Sequence, residues 1–516
     1  MNSALLLTIV LGYFLLLLAI AYFTSRGSNN ESFFVGNRSS KWWVVAFGMI
    51  GTSLSGMTFI SVPGTVGSSG FAYFQVVIGY WLGYFIVAYV LLPVYYKMRL
   101  TSIYTYLEKR LGVNAHKTGA LFFILSRTVG ATLRLYLVIK VLEIFVLGDL
   151  DLSFGLVSVV IMALILLYTF KGGVKTIVWT DTLQTTFMLL SLLAGIIYIA
   201  SKLDLGVGEA WHTLSARHLT HIFTGDPLSG NNFLKQVIGG AFITIGMTGL
   251  DQEMMQKNIS VTNLKDSQKN MVVMGTMQMI VVFIFLFLGG LLTIYAQRNG
   301  ISASGDDLFP AIAIKSGLPF ALTIIFIIGL ISALFPSADG ALTALTSSTC
   351  IDLLGMQHRK DWSDRKKTRI RLIIHNIFAL VFLGFIFFFR SVDKGSLINI
   401  LLKLAGYTYG PLLGLFAFGL LTKRKASKGW ALPASLISIV LTLFLDLVNN
   451  PEWYAPRLSF SPGFTRSLMQ LSGTLFHGYK IGVELLAINA LITFGLMYLG
   501  AQRSTKKPWR GIVSDF

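Results

Sequence analysis

Charge is what this sequence has least of for its length. Only 13% of its 516 residues are Asp, Glu, Lys or Arg, where soluble domains carry about one quarter. So few charges exclude an ordinary water-covered surface. Cysteine is almost missing: the lone Cys350 excludes an internal disulfide, and nothing beside it resembles a metal set. It reads as core packing. Acidic residues number 23 against 42 Lys and Arg, for a formal net charge of +19. The opening MNSALLLTIVLGYFLLLLAIAYFTSR has no basic residue ahead of its apolar run, unlike a cleaved signal. It reads as a retained spanning helix.

What fills the chain instead is apolar: 54% of the residues are hydrophobic. Crossing roughly 30 Å of hydrocarbon takes about 20 such residues. Runs of this kind fall near 4–24, 42–66, 71–96, 118–147, 152–170, 174–201, 233–256, 270–296, 319–350, 372–390, 396–421, 429–448 and 479–502. The expectation is an all-α integral membrane protein with thirteen transmembrane helices.

Most basic residues sit in alternate loops. With the N-terminus outside, the inner loops hold Arg26, Arg38 and Lys41, then Lys97 to Lys117, Lys257, Lys265 and Lys269, the dense Arg359–Arg371 segment, Lys423 to Lys428, and Arg503, Lys506, Lys507 and Arg510. Outer loops and helix ends carry far fewer, Lys315 and Lys394 among them. Inner loops rich in Lys and Arg fix an N-out, C-in orientation. The positive charge then faces anionic lipid and calls for no nucleic acid. The partners expected are a lipid bilayer, a small-molecule substrate and the ion that drives it, at the plasma (inner) membrane, with the chain acting as a monomer.

Polar groups interrupt the runs at two matching places. Span 2 carries Gly48, Gly51, Ser53, Ser55, Gly56 and Thr58; span 7 carries Gly246, Thr248, Gly249 and Asp251. Unwound backbone and hydroxyls at membrane depth are tolerated where they line a cavity. Spans 2 and 7 lie five apart, so units 2–6 and 7–11 enter the membrane from opposite sides. That pattern predicts a LeuT-type fold of two inverted five-helix repeats. The alternative is that the small residues only let helices pack closely. The expected units are 1–41 (first helix and inner loop), 42–202 (first repeat), 203–232 (outer loop), 233–425 (second repeat) and 426–516 (two further spans and a tail). Gly172–Gly173, Pro63 and Pro411 are expected irregular points. The seven histidines lie in loops or at span ends and form no nucleophile–base pair, so an enzyme is not expected.

The segments KGGVKTIVWTDTLQ (171–184), GLDQEMMQKNIS (249–260), ISALFPSADGALTALTSSTCIDL (331–353) and AGYTYGPLLGLFAFGLLTKR (405–424) resemble, in order, spans 5–6, 7, 9 and 11 of sodium:solute symporters. The resemblance implies sodium-coupled symport by alternating access. It implies one sodium site made by the Gly51 and Leu54 carbonyls of span 2, the Ala333 carbonyl and the Ser337 hydroxyl. Pro336 departs from it, standing where a hydroxyl residue is usual. Proline leaves the Ser332 carbonyl without its helical donor, so the site is either kept with altered ligands or weakened. Some family members hold a second sodium by an aspartate that matches Asp181, with partners falling on Pro336, Asp339 and Gly340. The other readings are an ion pair of Asp181 with Lys171 or Lys175, an ion pair of Asp339 with a basic neighbour, and proton coupling through Asp181 and Asp339.

Substrate contacts implied by the resemblance are Ser53, Ser55, Thr58, Gln75, Asp251 and Gln252. In span 4, the position of the carboxylate-binding arginine of sialic acid carriers falls on Gly130, one turn before Arg134. A guanidinium fork suits a carboxylate. The expected solute is therefore a small organic anion (sialic acid, carboxylate or vitamin-like); a sugar or amino acid is the alternative. The rival role for Arg134 is an ion pair with Asp339, Asp251 or Glu143. Lys403 is a weaker second anion contact.

Overall fold

A computed structural model describes residues 3–25, 33–34, 38–147, 152–315, 319–392 and 397–502. Arg26, Lys394 and the tail cations Arg503, Lys506, Lys507 and Arg510 lie outside the described residues, as do the side chains of Lys171, Lys175 and Lys315.

The apolar runs are helices. In chain order they are α1 (Ser3–Thr24), α2 (Trp42–Ser69), α3 (Tyr73–Lys97), α4 (Val113–Ile144), α5 (Phe154–Phe170), α6 (Thr176–Lys202), α7a (Phe233–Gly249), α7b (Gln252–Ile259), α8 (Leu264–Arg298), α9 (Phe320–Leu353), α10 (Asp364–Ser391), α11 (Ile400–Leu421), α12 (Ala431–Asn449) and α13 (Leu485–Leu499). Polar side chains start several of them. Ser153 accepts from Leu156 N–H, Asn232 from Leu234 N–H and Asn263 from Asp266 N–H. Each satisfies an amide that the first helical turn leaves without a partner.

Among the described residues nine helices are long and apolar enough to cross a membrane, and α7a with α7b makes a tenth if counted as one bent span. The remaining expected crossings meet shorter apolar helices: Thr8–Thr24 within α1, Phe154–Phe170 and Leu485–Leu499. Length explains the difference, since about 20 residues are needed for a full crossing. The expected loops 202–232 and 449–478 also hold short helices, Val207–Ala216, Pro451–Leu458 and Pro462–Phe476.

Three helices break where the sequence places glycine and hydroxyls. Ser55 interrupts α2 with φ 54° and ψ 169°. Gly173 (φ 53°, ψ −149°) divides α5 from α6. Between α7a and α7b the axis turns by 64°. Helix α9, by contrast, continues through Pro336, as α11 does through Pro411.

Glycine lets α3 and α7a pack backbone to backbone. A Cβ on Gly79 of α3 would lie 2.1 Å from the Val237 carbonyl oxygen of α7a, and one on Gly240 would lie 2.3 Å from that of Val76. Without water to bury side chains against, such close approach is what joins helices in lipid.

Candidate functional site

The breaks in α2 and α7 face the same interior space. Its lining includes Ser53, Ser55, Met57 and Thr58 of α2, Tyr73, Tyr80 and Tyr84 of α3, Arg127 and Arg134 of α4, Thr248 of α7a, Met254 of α7b, Gln278 of α8 and Leu401 and Leu402 of α11. The cavity measures about 90 Å³. A second cavity, of about 1200 Å³, opens around the C-terminal end of α2, from Gly64 to Ser69. Lys41, one of the expected inner cations, flanks the opposite end of that helix. Tyr73 and Leu402 line both cavities and so stand between them.

Several polar groups in the narrow cavity already have partners. Tyr84 donates to Gln278 Oε1, and the Tyr73 and Tyr80 hydroxyls face each other at 3.4 Å. Arg127 is bound to Glu253 and lies 3.8 Å from Asp251. Arg134 differs: it lines the cavity, is only 9% exposed, and has no carboxylate partner among the described residues, while its Nε, like that of Arg127, makes no hydrogen bond. None of the carboxylates proposed as its rival partner takes it. Glu143 pairs with Arg390 at 2.8 Å, Asp251 with Arg127 and Tyr409, and Asp339 with Tyr168. A buried guanidinium without a counter-ion is costly, and an incoming anion removes that cost.

Four expected substrate contacts are placed elsewhere. Gln75 donates to the Ala72 and Asn231 carbonyls at 3.1 and 3.3 Å and accepts from Thr224 N–H at 3.1 Å, which ties down the segment before α7a. Gln252 accepts from Ile103 N–H and donates to the Thr101 carbonyl, both at 3.0 Å, joining α7b to the loop after α3. Asp251 caps α7b through Glu253 N–H at 2.9 Å and accepts from the Tyr409 hydroxyl at 2.8 Å. A Cβ on Gly130 would meet Leu401 at 3.7 Å, outside the cavity lining. Lys403 is held by Asp446 at 2.8 Å and lies over the Trp453 ring.

The residues expected to hold sodium lie on α2 and α9, and Gly51 packs against α6. Gly51 N–H donates to Thr185 Oγ1 at 3.1 Å, and Leu54, Ala333 and Ser337 are buried. Gly56 follows the reversed residue Ser55, and a Cβ there would reach within 3.8 Å of the Ala333 carbonyl oxygen. This contact brings the α2 break up to α9. Ser332 gives its hydroxyl to Tyr13 at 2.7 Å, and Pro336 leaves the Ser332 carbonyl without its helical N–H donor.

Beneath lies a buried charge cluster. Lys257 Nζ is 2.6 Å from Asp181, 2.8 Å from the Thr52 hydroxyl and 3.4 Å from Glu253. The Tyr168 hydroxyl donates to Asp339 at 2.9 Å. Gly340 serves as a close-approach point, since a Cβ there would lie 2.3 Å from Glu253 Oε1. Lys257, an expected loop cation, is 2% exposed. The signal for it is Glu253 four residues earlier, one helical turn away. The tyrosines were signalled too: 73, 80 and 84 recur on one face of α3.

Discontinuous helices meeting at a buried cavity, with one wide approach from one end, define a secondary transporter. The model of the sodium:solute symporter family matches residues 33–438, and the chain belongs to that family. It is 25% identical over 450 residues to the sodium/sialic acid symporter SiaT of Proteus mirabilis, covering 84% of this chain and 88% of that one. The sodium/sialic acid symporter NanT of Aliivibrio fischeri is 23% identical over 446 residues, covering 84% and 86%. The sodium-dependent multivitamin transporter of Oryctolagus cuniculus is 27% identical over 389 residues, 73% of this chain and 59% of that one. The substrate-bound, outward-open structure of a Na+-coupled sialic acid symporter superposes with a TM-score of 0.78 at 19% identity, over 97% of this chain and 99% of that one. Mhp1 in a closed conformation gives 0.53 at 12% identity, over 90% and 98%. These two likenesses show the LeuT-type fold. The chain is a multi-pass plasma-membrane transporter with sodium as its coupling ion.

Proposed function

We propose that the solute carried with sodium is a small organic anion whose carboxylate binds Arg134. The Arg134 guanidinium at the cavity wall, which has no carboxylate partner among the described residues, carries this reading. Ser53, Ser55 and Thr58 supply hydroxyls beside it, while Met57, Met247, Met254 and Leu401 supply an apolar wall. The sialic acid symporters and the multivitamin transporter named above are the relatives consistent with it.

Sodium binds the Gly51, Leu54, Ala333 and Ser332 carbonyls and the Ser337 hydroxyl in this reading. It fixes the α2 break against α9, beside the residues that meet the solute. Ion and solute then strengthen each other's binding by the same factor. Tyr73 and Leu402 close the cavity from the wide side, and the pairs of Arg127, Glu253, Lys257 and Asp181 close it from the other. Thirteen crossings, N-out and C-in, and the units 1–41, 42–202, 203–232, 233–425 and 426–516 belong to the same proposal.

The test is uptake into proteoliposomes of labelled monocarboxylates, sialic acids, sugars and amino acids. Accumulation of a carboxylate in sodium, lost in choline, is expected. Uptake of a neutral solute alone would exclude the anion reading.

A further inference from the structure

We propose that the ammonium of Lys257 is a built-in cation that takes the place of a second sodium ion, so that one sodium binds per chain. The resemblance assigns a second cation to Asp181 with Pro336, Asp339 and Gly340, and the residues present do not fit it. Pro336 and Gly340 bring no side-chain oxygen. The space against Gly340 is taken by Glu253, whose Oε1 would lie 2.3 Å from a Cβ there. Asp339 is engaged by the Tyr168 hydroxyl at 2.9 Å and by Gly340 N–H at 2.5 Å. Asp181 already has a cation on one oxygen: Lys257 Nζ lies 2.6 Å from its Oδ2, while its buried Oδ1 has no hydrogen-bond partner.

The ammonium is coordinated as an ion would be. Its oxygens come from three elements: Asp181 of α6, Thr52 of α2 at 2.8 Å and Glu253 of α7b at 3.4 Å. Thr52 also donates to Asp181 Oδ2 at 3.0 Å, closing a ring. A free sodium at Asp181 would sit beside a fixed positive charge in a buried site, where like charges repel strongly. Lysine presents its charge as a compact point on a flexible stem, so it can stand in for a small cation. Unlike an ion, it stays attached to α7b when the helices move, and binding at Asp181 becomes contact between two helices.

The inference rests on the sodium-coupled reading, and counting ²²Na⁺ bound per purified chain, with choline as replacement, separates the two. Wild type is expected to bind one. Lys257→Ala, which frees Asp181, is expected to bind two. Asp181→Asn/Lys257→Ala, which removes both charges, is expected to return to one. Two ions on wild type would overturn the proposal and leave sodium coupling intact; none would overturn both. One ion on both wild type and Lys257→Ala would show that the ammonium excludes nothing. Should Lys257→Ala not fold, the wild-type and double-variant counts decide, since two ions on either overturns the proposal.

Discussion

Arg127 and Arg134 stand two turns apart on the same helix, and of the two only Arg127 has a carboxylate partner among the described residues. That contrast makes two predictions. Arg134→Gln should abolish carboxylate binding with little change in melting temperature, because no described carboxylate loses a partner. Intact carboxylate affinity in a binding assay would remove Arg134 from the site. Arg127→Met should instead destabilise the fold by about 3–5 kcal/mol, the usual effect of stranding one member of a buried pair. Arg127→Met/Glu253→Met should recover much of that, and thermal unfolding would show whether it does. At this scale the place of Ser53, Ser55, Thr58 and Arg134 in a cavity lining was legible, because polar residues in an apolar run mark a cavity. Gln75 and Gln252 carry the same mark, yet serve backbone groups in loops whose positions no linear spacing gives. Lys257 was misplaced for a geometric reason. It follows an apolar run and so reads as a loop cation, but the bend before α7b folds its helix back among α2, α6 and α9.

The elements depend on breaks and on glycine. Ser55 holds a positive φ that costs a non-glycine residue about 1–3 kcal/mol. Ser55→Gly should therefore keep or raise the melting temperature, and Ser55→Val, branched at Cβ, should lower it. Equal melting for both would show that the break places no demand on that residue. The α3–α7a seam leaves no room at Gly79 or Gly240. Gly79→Leu should prevent native packing, seen as aggregated protein in size-exclusion chromatography; a monodisperse, transport-active variant would contradict the seam. The paired breaks in α2 and α7 were legible from hydroxyls and glycines five spans apart. The shortness of α5 and α13 was not, because hydropathy marks where an apolar run lies and backbone geometry decides where its helix stops.

For the whole molecule, the arrangement of basic loops predicts which ends face out. Cys350 is buried, so single cysteines added at exposed loop positions report topology over a silent background. In intact cells a membrane-impermeant maleimide should label His218→Cys and leave Lys360→Cys unlabelled until the membrane is opened. The reverse pattern would invert the assignment. The fold was legible at this scale because lipid permits so few backbone solutions. The central claim is that sodium, held between α2 and α9, and a carboxylate, held by Arg134, bind cooperatively. It is tested most directly by melting the purified protein against a panel of carboxylates and their neutral amides, each in sodium and in choline. A ligand at 100 times its Kd stabilises by about 2.7 kcal/mol. The account predicts such a rise for a carboxylate in sodium only, absent for its amide and lost in Arg134→Gln. An equal rise in choline, or with the amide, would contradict it.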